Sequence, residues 1–172
     1  MSRFIIVTGL PASGKSTVGA AIAGALALPL LDKDEILEAL FDSLGVGDAE
    51  WRTRLSRASD HVLQRLAMRS NGAVVVSWWR HPLSHVASGT SASWLHSLPG
   101  EVVEVHCRCD SHVAARRFLA RPRHGGHLDE QGGAFERFVW PGALGIGRVI
   151  ELDTEQAINI EALVEQLASP GG

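Results

Sequence analysis

Hydrophobic and polar positions along the chain sort into alternating strand-like and helix-like blocks. Arg3-Phe4-Ile5-Ile6-Val7-Thr8 is a short apolar run of strand length. A glycine-rich stretch separates it from Ser16 to Ala27, where Val18, Ile22 and Leu26 fall on one helical stripe. Leu28-Pro29 ends that helix and Leu30-Leu31 predicts a brief second strand. Asp32-Lys33-Asp34-Glu35 then reads as a capping-box variant, with Asp32 at the N-cap and Glu35 at N3, opening a helix with Ile36, Leu37, Leu40, Phe41 and Leu44 on its stripe. Asp48 is expected to cap a long helix reaching about Ser70, with Trp51, Leu55, Val62, Leu66 and Met68 recurring near helical spacing.

The second half continues the alternation. Ala73-Val74-Val75-Val76-Ser77 is a continuous β-branched run, the mark of a strand buried on both faces. Leu83 to Ser97 predicts a helix weakened by Gly89, and Pro99-Gly100 ends it. Glu101 to Cys109 predicts the fourth strand, and Asp110 caps a helix to about Arg121. Pro122 to Gly133 is polar and glycine-rich, as a mobile loop would be, and a short helix is placed around Phe135 to Val139. Arg148 to Leu152 predicts the fifth strand and Glu155 to Ala168 a closing amphipathic helix with Ile160, Leu163, Val164 and Leu167 inward. Strands alternating with helices imply an α/β protein with a parallel sheet covered on both faces.

One stretch carries chemistry outright. Gly9-Leu10-Pro11-Ala12-Ser13-Gly14-Lys15-Ser16, followed by Thr17, matches G-x-x-x-x-G-K-S in the context that motif needs, a strand before and a helix after. Gly9, Pro11, Ala12, Ser13, Gly14, Lys15, Ser16 and Thr17 are thus the expected nucleotide-binding set, with backbone N–H groups cradling phosphate oxygens at a helix N-terminus. Lys15 is expected to reach the β- and γ-phosphates, and the Ser16 hydroxyl to ligate Mg²⁺. The expected ligands are ATP and Mg²⁺.

Composition narrows the setting. The 172 residues are 45% hydrophobic and 20% charged, which suits one globular domain spanning residues 1–172. A net charge of −3 argues against broad nucleic-acid binding, and no run of apolar residues is long enough for a membrane span. The first apolar run leads straight into the phosphate loop rather than to a cleavage site, so a cytoplasmic location is expected. Cys107 and Cys109 lie two apart in a predicted strand, on one face, where a disulfide would be strained. Among sixteen basic side chains only Lys15 and Lys33 are lysines. A chain so biased toward arginine keeps lysine where a compact ammonium is wanted, as at the phosphate loop.

Further candidates gather where the parallel strands end, since that edge is where such sheets bind ligands. After the second strand, Asp32 and Asp34 face the loop; either carboxylate could hold the water shell of the metal or accept a proton from an acceptor hydroxyl. Asp32 joins Ser16 as the candidate metal site, and Asp34 is both candidate base and acceptor contact. After the third strand Ser77 stands where an acid would be expected in a motor-type NTPase, which disfavours that class. Trp78, Trp79 and Arg80 follow as candidate acceptor contacts, with one tryptophan at most facing the site because neighbouring strand residues point oppositely. After the fourth strand Arg116, Arg117, Arg121 and Arg123 form a cationic segment with His124 and His127. Within it Arg117 and Arg121 are candidate catalytic cations and Arg116 a nucleotide contact, in a lid over about residues 111–133.

Together, Gly9 to Thr17, Asp32-Lys33-Asp34-Glu35, the arginine-rich helix after Cys107-Arg108-Cys109-Asp110, and Val149-Ile150-Glu151-Leu152-Asp153-Thr154 resemble the small P-loop kinases. That group includes polynucleotide 5′-hydroxyl kinase, zeta toxin, gluconate kinase and chloramphenicol phosphotransferase. The resemblance implies a P-loop three-layer sandwich whose five parallel strands run in the order 2-3-1-4-5, flanked by helices and carrying an arginine-rich lid. It also implies ATP as donor and Asp34 as general base. The expected activity is transfer of the γ-phosphoryl group to a hydroxyl of a small polar molecule such as a sugar, nucleoside or antibiotic. A nucleotide or polynucleotide kinase, and an ATP-binding regulatory module without transfer, are the alternatives. Trp78-Trp79 matches no acceptor signature of the group, so the acceptor stays open.

Overall fold

The protein was analysed as a computed structural model that describes residues 2–84, 88–122, 124–127 and 142–169. Its main sheet is built from β1 (Arg3–Gly9), β2 (Leu30–Asp32), β3 (Ala73–Val76), β6 (Glu101–Arg108) and β7 (Arg148–Asp153). All are parallel, in the order β2-β3-β1-β6-β7, which is 2-3-1-4-5 when only these five strands are counted. Two short strands, β4 (Trp79–Arg80) and β5 (Thr90–Ser91), pair with each other beside the main sheet.

The period-2 alternation of β1 assigns its side chains to two cores. Ile5 and Val7 face α1 (Lys15–Leu26) and α5 (Ile160–Ala168), among Val18, Ile22, Val74, Val105, Leu163 and Leu167. Phe4 and Ile6 face α3 (Ala49–Arg69), among Leu63, Ala67, Val75 and Leu95. β1 is central, and burying each of its large apolar side chains contributes about 1.5–3 kcal/mol. This double anchoring fixes the strand end from which the glycine-rich loop springs.

Several expectations are corrected. On α3 the inward stripe is Leu55, Ser59, Leu63 and Ala67, while Val62, Leu66 and Met68 are exposed. Small residues let the helix lie close to the sheet, and Ser59 satisfies its hydroxyl locally by donating to the Ser56 carbonyl at 2.7 Å. The helix expected over Leu83–Ser97 does not form. Thr90 N–H donates to Trp78 O at 2.8 Å, closing a loop that pairs β4 with β5, and a short 3₁₀ turn follows over Ser93–Ser97. Residues 85–87 lie outside the described residues. Leu95 of that turn is fully buried, so the segment still supplies core without helical periodicity.

The closing helix starts at Ile160 rather than Glu155, because Asn159 caps it by accepting from Ala162 N–H at 3.0 Å. Asp32 does cap α2 (Lys33–Leu44), but it accepts the N–H of Asp34 at 2.9 Å rather than that of Glu35. Asp48 and Asp110 cap α3 and α4 (Ser111–Ala120) as expected. The short helix placed around Phe135 to Val139 lies outside the described residues. Both cysteines are free thiols.

Candidate active site

The phosphate loop is shaped by backbone demands before any ligand is considered. β1 ends at Gly9, whose φ of +138° and 2.5 Å approach to Cys107 O (measured from where a Cβ would sit) leave no room for a side chain. Ser13 N–H donates to Leu10 O at 3.1 Å, and Ala12 takes a left-handed φ of +58°. Gly14 caps α1 with φ +91° and no side-chain hydrogen bond, so the first amides of the helix face the loop uncapped. The hydroxyl of Ser13 is buried without a hydrogen-bond partner among the described residues. An uncapped helix start and an orphaned hydroxyl in one loop fit a bound phosphate chain.

Lys15 is buried in this loop and donates from Nζ to Leu10 O at 2.6 Å. Burial pulls its pKa from 10.5 down to about 8, with Arg121 pushing the same way and the carboxylates of Asp34 and Asp32 opposing it. Next to it the Ser16 hydroxyl donates to Asp32 Oδ2 at 2.7 Å. Burial raises the Asp32 pKa, partly offset by that hydrogen bond. The two oxygens form a hard, oxygen-only donor pair suited to Mg²⁺, which commonly takes one or two protein ligands plus substrate phosphates. Among the described residues no group of three or more His, Cys, Asp or Glu forms a self-sufficient metal site.

A cleft of about 470 Å³ opens along the strand ends. The loop forms one wall and Asp32, Lys33 and Asp34 its floor. α3 contributes Arg52, Thr53 and Ser56, and Ser77, Trp78 and Arg121 complete the lining. Asp34 therefore stands in the same space as Lys15, as expected.

Trp79 does not belong to this site. It is fully buried, donates from Nε1 to Val7 O at 3.0 Å and packs against Trp94, because its position on β4 turns it into the core while Trp78 faces the cleft. Arg80 is exposed and donates to the carbonyls of Ser88 and Gly89, beside a separate 290 Å³ cavity.

The cationic segment separates in the same way. Arg121 lines the cleft, its guanidinium 5.8 Å from the Phe118 ring centroid. Arg117 is instead spent on structure, donating to Thr154 O at 3.2 Å and to Cys109 Sγ at 3.7 Å, which ties α4 to the end of β7. Arg116 is exposed on α4 and is not among the cleft-lining residues; Arg123 lies outside the described residues. His124 and His127, which carried no assigned role, meet Asp42 at 3.1 Å and Glu38 at 3.0 Å on α2. Phe41 packs between them, and Gly126 sits so close to its ring that a Cβ would come within 2.3 Å.

Sequence reasoning missed the α3 wall. Arg52 and Ser56 recur at i, i+4 on a helix whose neighbouring inward positions are apolar or small, and that polar pair was the available signal. Lys33, the other retained lysine, has a side chain only 12% exposed and lines the cleft, 3.1 Å from Asp60 and 3.2 Å from Ser56 Oγ. The serine in place of the expected acid is also employed. Thr90 Oγ1 donates to Asp60 at 2.7 Å and so accepts from Ser77 Oγ at 2.6 Å, joining the end of β3 to α3.

Loop, sheet order and flanking helices define a P-loop nucleotide-binding protein with the kinase type of topology. The chain belongs to the AAA domain family, whose model matches residues 4–137. Among solved structures it is similar to a protein from Chloroflexus aurantiacus J-10-fl, described provisionally as a kinase, at 28% identity and TM-score 0.74 over 97% of both chains. It shares its fold with a gluconokinase from Sinorhizobium meliloti 1021, at 24% identity and TM-score 0.52 over 96% of this chain and 89% of that one. A shikimate kinase from Bacteroides thetaiotaomicron shares it too, at 20% identity and TM-score 0.54 over 96% of each. The resemblance to the small P-loop kinases is thus borne out. No curated protein sequence matches the chain. Among the described residues no helix is long and apolar enough to cross a membrane.

Proposed function

We propose that the protein is an ATP- and Mg²⁺-dependent phosphotransferase acting on a hydroxyl of a small polar molecule. One observation carries the reading: Asp32 is committed to Ser16 and to the α2 cap, while Asp34, two residues on, lines the cleft together with Lys15. The two carboxylates then have separable tasks. Ser16 and Asp32 would hold Mg²⁺, which supplies charge neutralisation of the phosphates when bound. Asp34 would orient the acceptor hydroxyl and take its proton as the new O–P bond forms and the bond from the γ-phosphorus to the bridging oxygen breaks, releasing ADP.

Lys15 and the uncapped amides of α1 would bind the phosphates, and Arg121 would answer charge developing on the transferred group. α4 and the segment after it would act as the lid, excluding water from the transfer. The kinase names of the fold neighbours support the reading. A cleft of this size suits a metabolite better than a polynucleotide.

Screening hydroxylated metabolites, nucleosides and antibiotics for acceptor-stimulated ADP release tests the proposal. Stimulation by at least one class is expected. Flat traces alongside intact ATP binding would replace transfer with a regulatory nucleotide site.

A further inference from the structure

The acceptor half of the cleft carries two cations, and their surroundings differ. Lys33 is answered by Asp60 and held by Ser56. Arg52, on the first turns of α3, has one guanidinium nitrogen on a loop carbonyl, Nη1 to Gly47 O at 2.9 Å. Its Nε is sealed from solvent with no hydrogen-bond partner among the described residues, and among those residues the guanidinium has no ion pair. Holding such a group in a half-buried wall is unfavourable unless something arrives to complete it.

We infer that the acceptor is a small hydroxylated anion, whose carboxylate or phosphate oxygens are bound by Arg52 while its hydroxyl is presented to Asp34. The inference rests on the proposed reading of the cleft as a transfer site and names the acceptor class for it. Three features of the wall support it. A guanidinium is a planar fork that matches two oxygens of one anionic group. Arg52 comes from the α3 wall, with Ser56 and Lys33, whereas Lys15 belongs to the phosphate loop and Arg121 follows α4. Trp78 lines the same cleft and offers an apolar face for the carbon skeleton.

The experiment measures binding without turnover. The phosphate loop is first saturated with Mg²⁺ and a non-hydrolysable ATP analogue, so that anionic probes cannot occupy it. Matched pairs are then titrated by tryptophan fluorescence and calorimetry: gluconate against D-glucitol for carboxylate, and glycerol 3-phosphate against glycerol for phosphate. At least one anionic member is expected to bind ten-fold or more tightly than its neutral partner, and the pair showing it identifies the anion. Arg52→Gln should erase that preference with analogue affinity unchanged, and Arg52→Lys should keep part of it, with melting curves confirming that both variants fold. Equal binding within both pairs, no binding of any probe at 10 mM (about 10⁴ times the analogue concentration needed for a micromolar site), or a preference that survives Arg52→Gln would each overturn the inference. If the preference holds and depends on Arg52 but no anion stimulates ADP release, the transfer reading fails and the anion site stands. If only neutral acceptors stimulate ADP release, transfer stands and the anion inference falls.

Discussion

The Ser16 hydroxyl donates to Asp32 Oδ2 across 2.7 Å, so the first turn of α1 and the cap of α2 share one oxygen-rich junction. Asp34 begins two residues beyond it and is not the cap. Replacing the two aspartates should therefore give different defects. Asp32→Asn keeps a competent helix cap and should raise the Mg²⁺ concentration for half-maximal transfer about ten-fold or more. Asp34→Asn should lower kcat by ~10²–10⁴-fold with little change in ATP affinity. Identical Mg²⁺ titration curves for wild type and Asp32→Asn would remove that residue from the metal site.

Lys15 is held in a pocket that disfavours its charge. With the ammonium driven from 10.5 to about 8, the free protein at neutral pH carries a penalty of roughly 3 kcal/mol. The sign follows from proton uptake. Between about pH 8 and 10.5 the unfolded chain holds a proton that the native state has released, so stability rises with pH there. Lys15→Met should abolish transfer, yet stabilise the nucleotide-free protein by about 1–3 kcal/mol, or several degrees in Tm. A lower Tm for the variant, measured without nucleotide, would contradict this account of the loop.

Glu104 lies in the middle of β6 with no solvent exposure. Its carboxylate accepts from Thr8 Oγ1 at 2.7 Å and from the backbone N–H groups of Leu144, Gly145 and Ile146 at 2.8, 2.8 and 3.1 Å. A glutamine there turns an N–H₂ toward donors that need an acceptor. Glu104→Gln should cost about 2–4 kcal/mol in urea unfolding, because several buried donors lose charge-assisted partners at once. An unchanged midpoint would mean the loop before β7 finds other acceptors.

His106 follows two residues later on the same face, with Nδ1 3.0 Å from Thr8 Oγ1. Burial lowers its pKa below 6.5, against the pull of Glu151 and Glu104 and with a smaller push from Lys15 and His81. Above pH 6.5 the ring is neutral whether folded or unfolded. As pH falls below that value the unfolded chain takes a proton that the native ring refuses, so stability is lost until the lower native pKa is reached. Comparing urea midpoints at pH 7 and pH 5.5 should show a smaller drop for His106→Asn than for wild type; equal drops would assign the acid sensitivity to other groups.

What could be read in advance depended on how local the determinant was. Gly9 to Thr17 was legible because loop shape, strand and helix are all written within one stretch. The caps Asp32, Asp48 and Asp110 were legible for the same reason. The helix expected over Leu83–Ser97 failed because the partner that organises Thr90 is Trp78, twelve residues earlier. Trp79 and Arg117 look like binding residues in isolation and become structural only once Val7 O and Thr154 O are placed against them. Arg52 is legible only as half of a polar i, i+4 pair with Ser56, and that pair does not by itself reveal that the start of α3 overlooks the phosphate loop.

The chain of contacts from Ser77 through Thr90 and Asp60 to Lys33 joins a strand end, an edge ribbon and two helices with side chains alone. The grip on the nucleotide in the proposed reading, by contrast, comes mostly from the peptide backbone of the loop and of the α1 N-terminus. Backbone survives almost any exchange of neighbouring side chains, whereas each link of the opposite wall can be replaced singly. On the proposed reading, a lineage built this way could inherit its phosphoryl donor intact while trying new acceptors one substitution at a time, and positions 52, 56, 60, 78 and 90 are where such trials would be recorded.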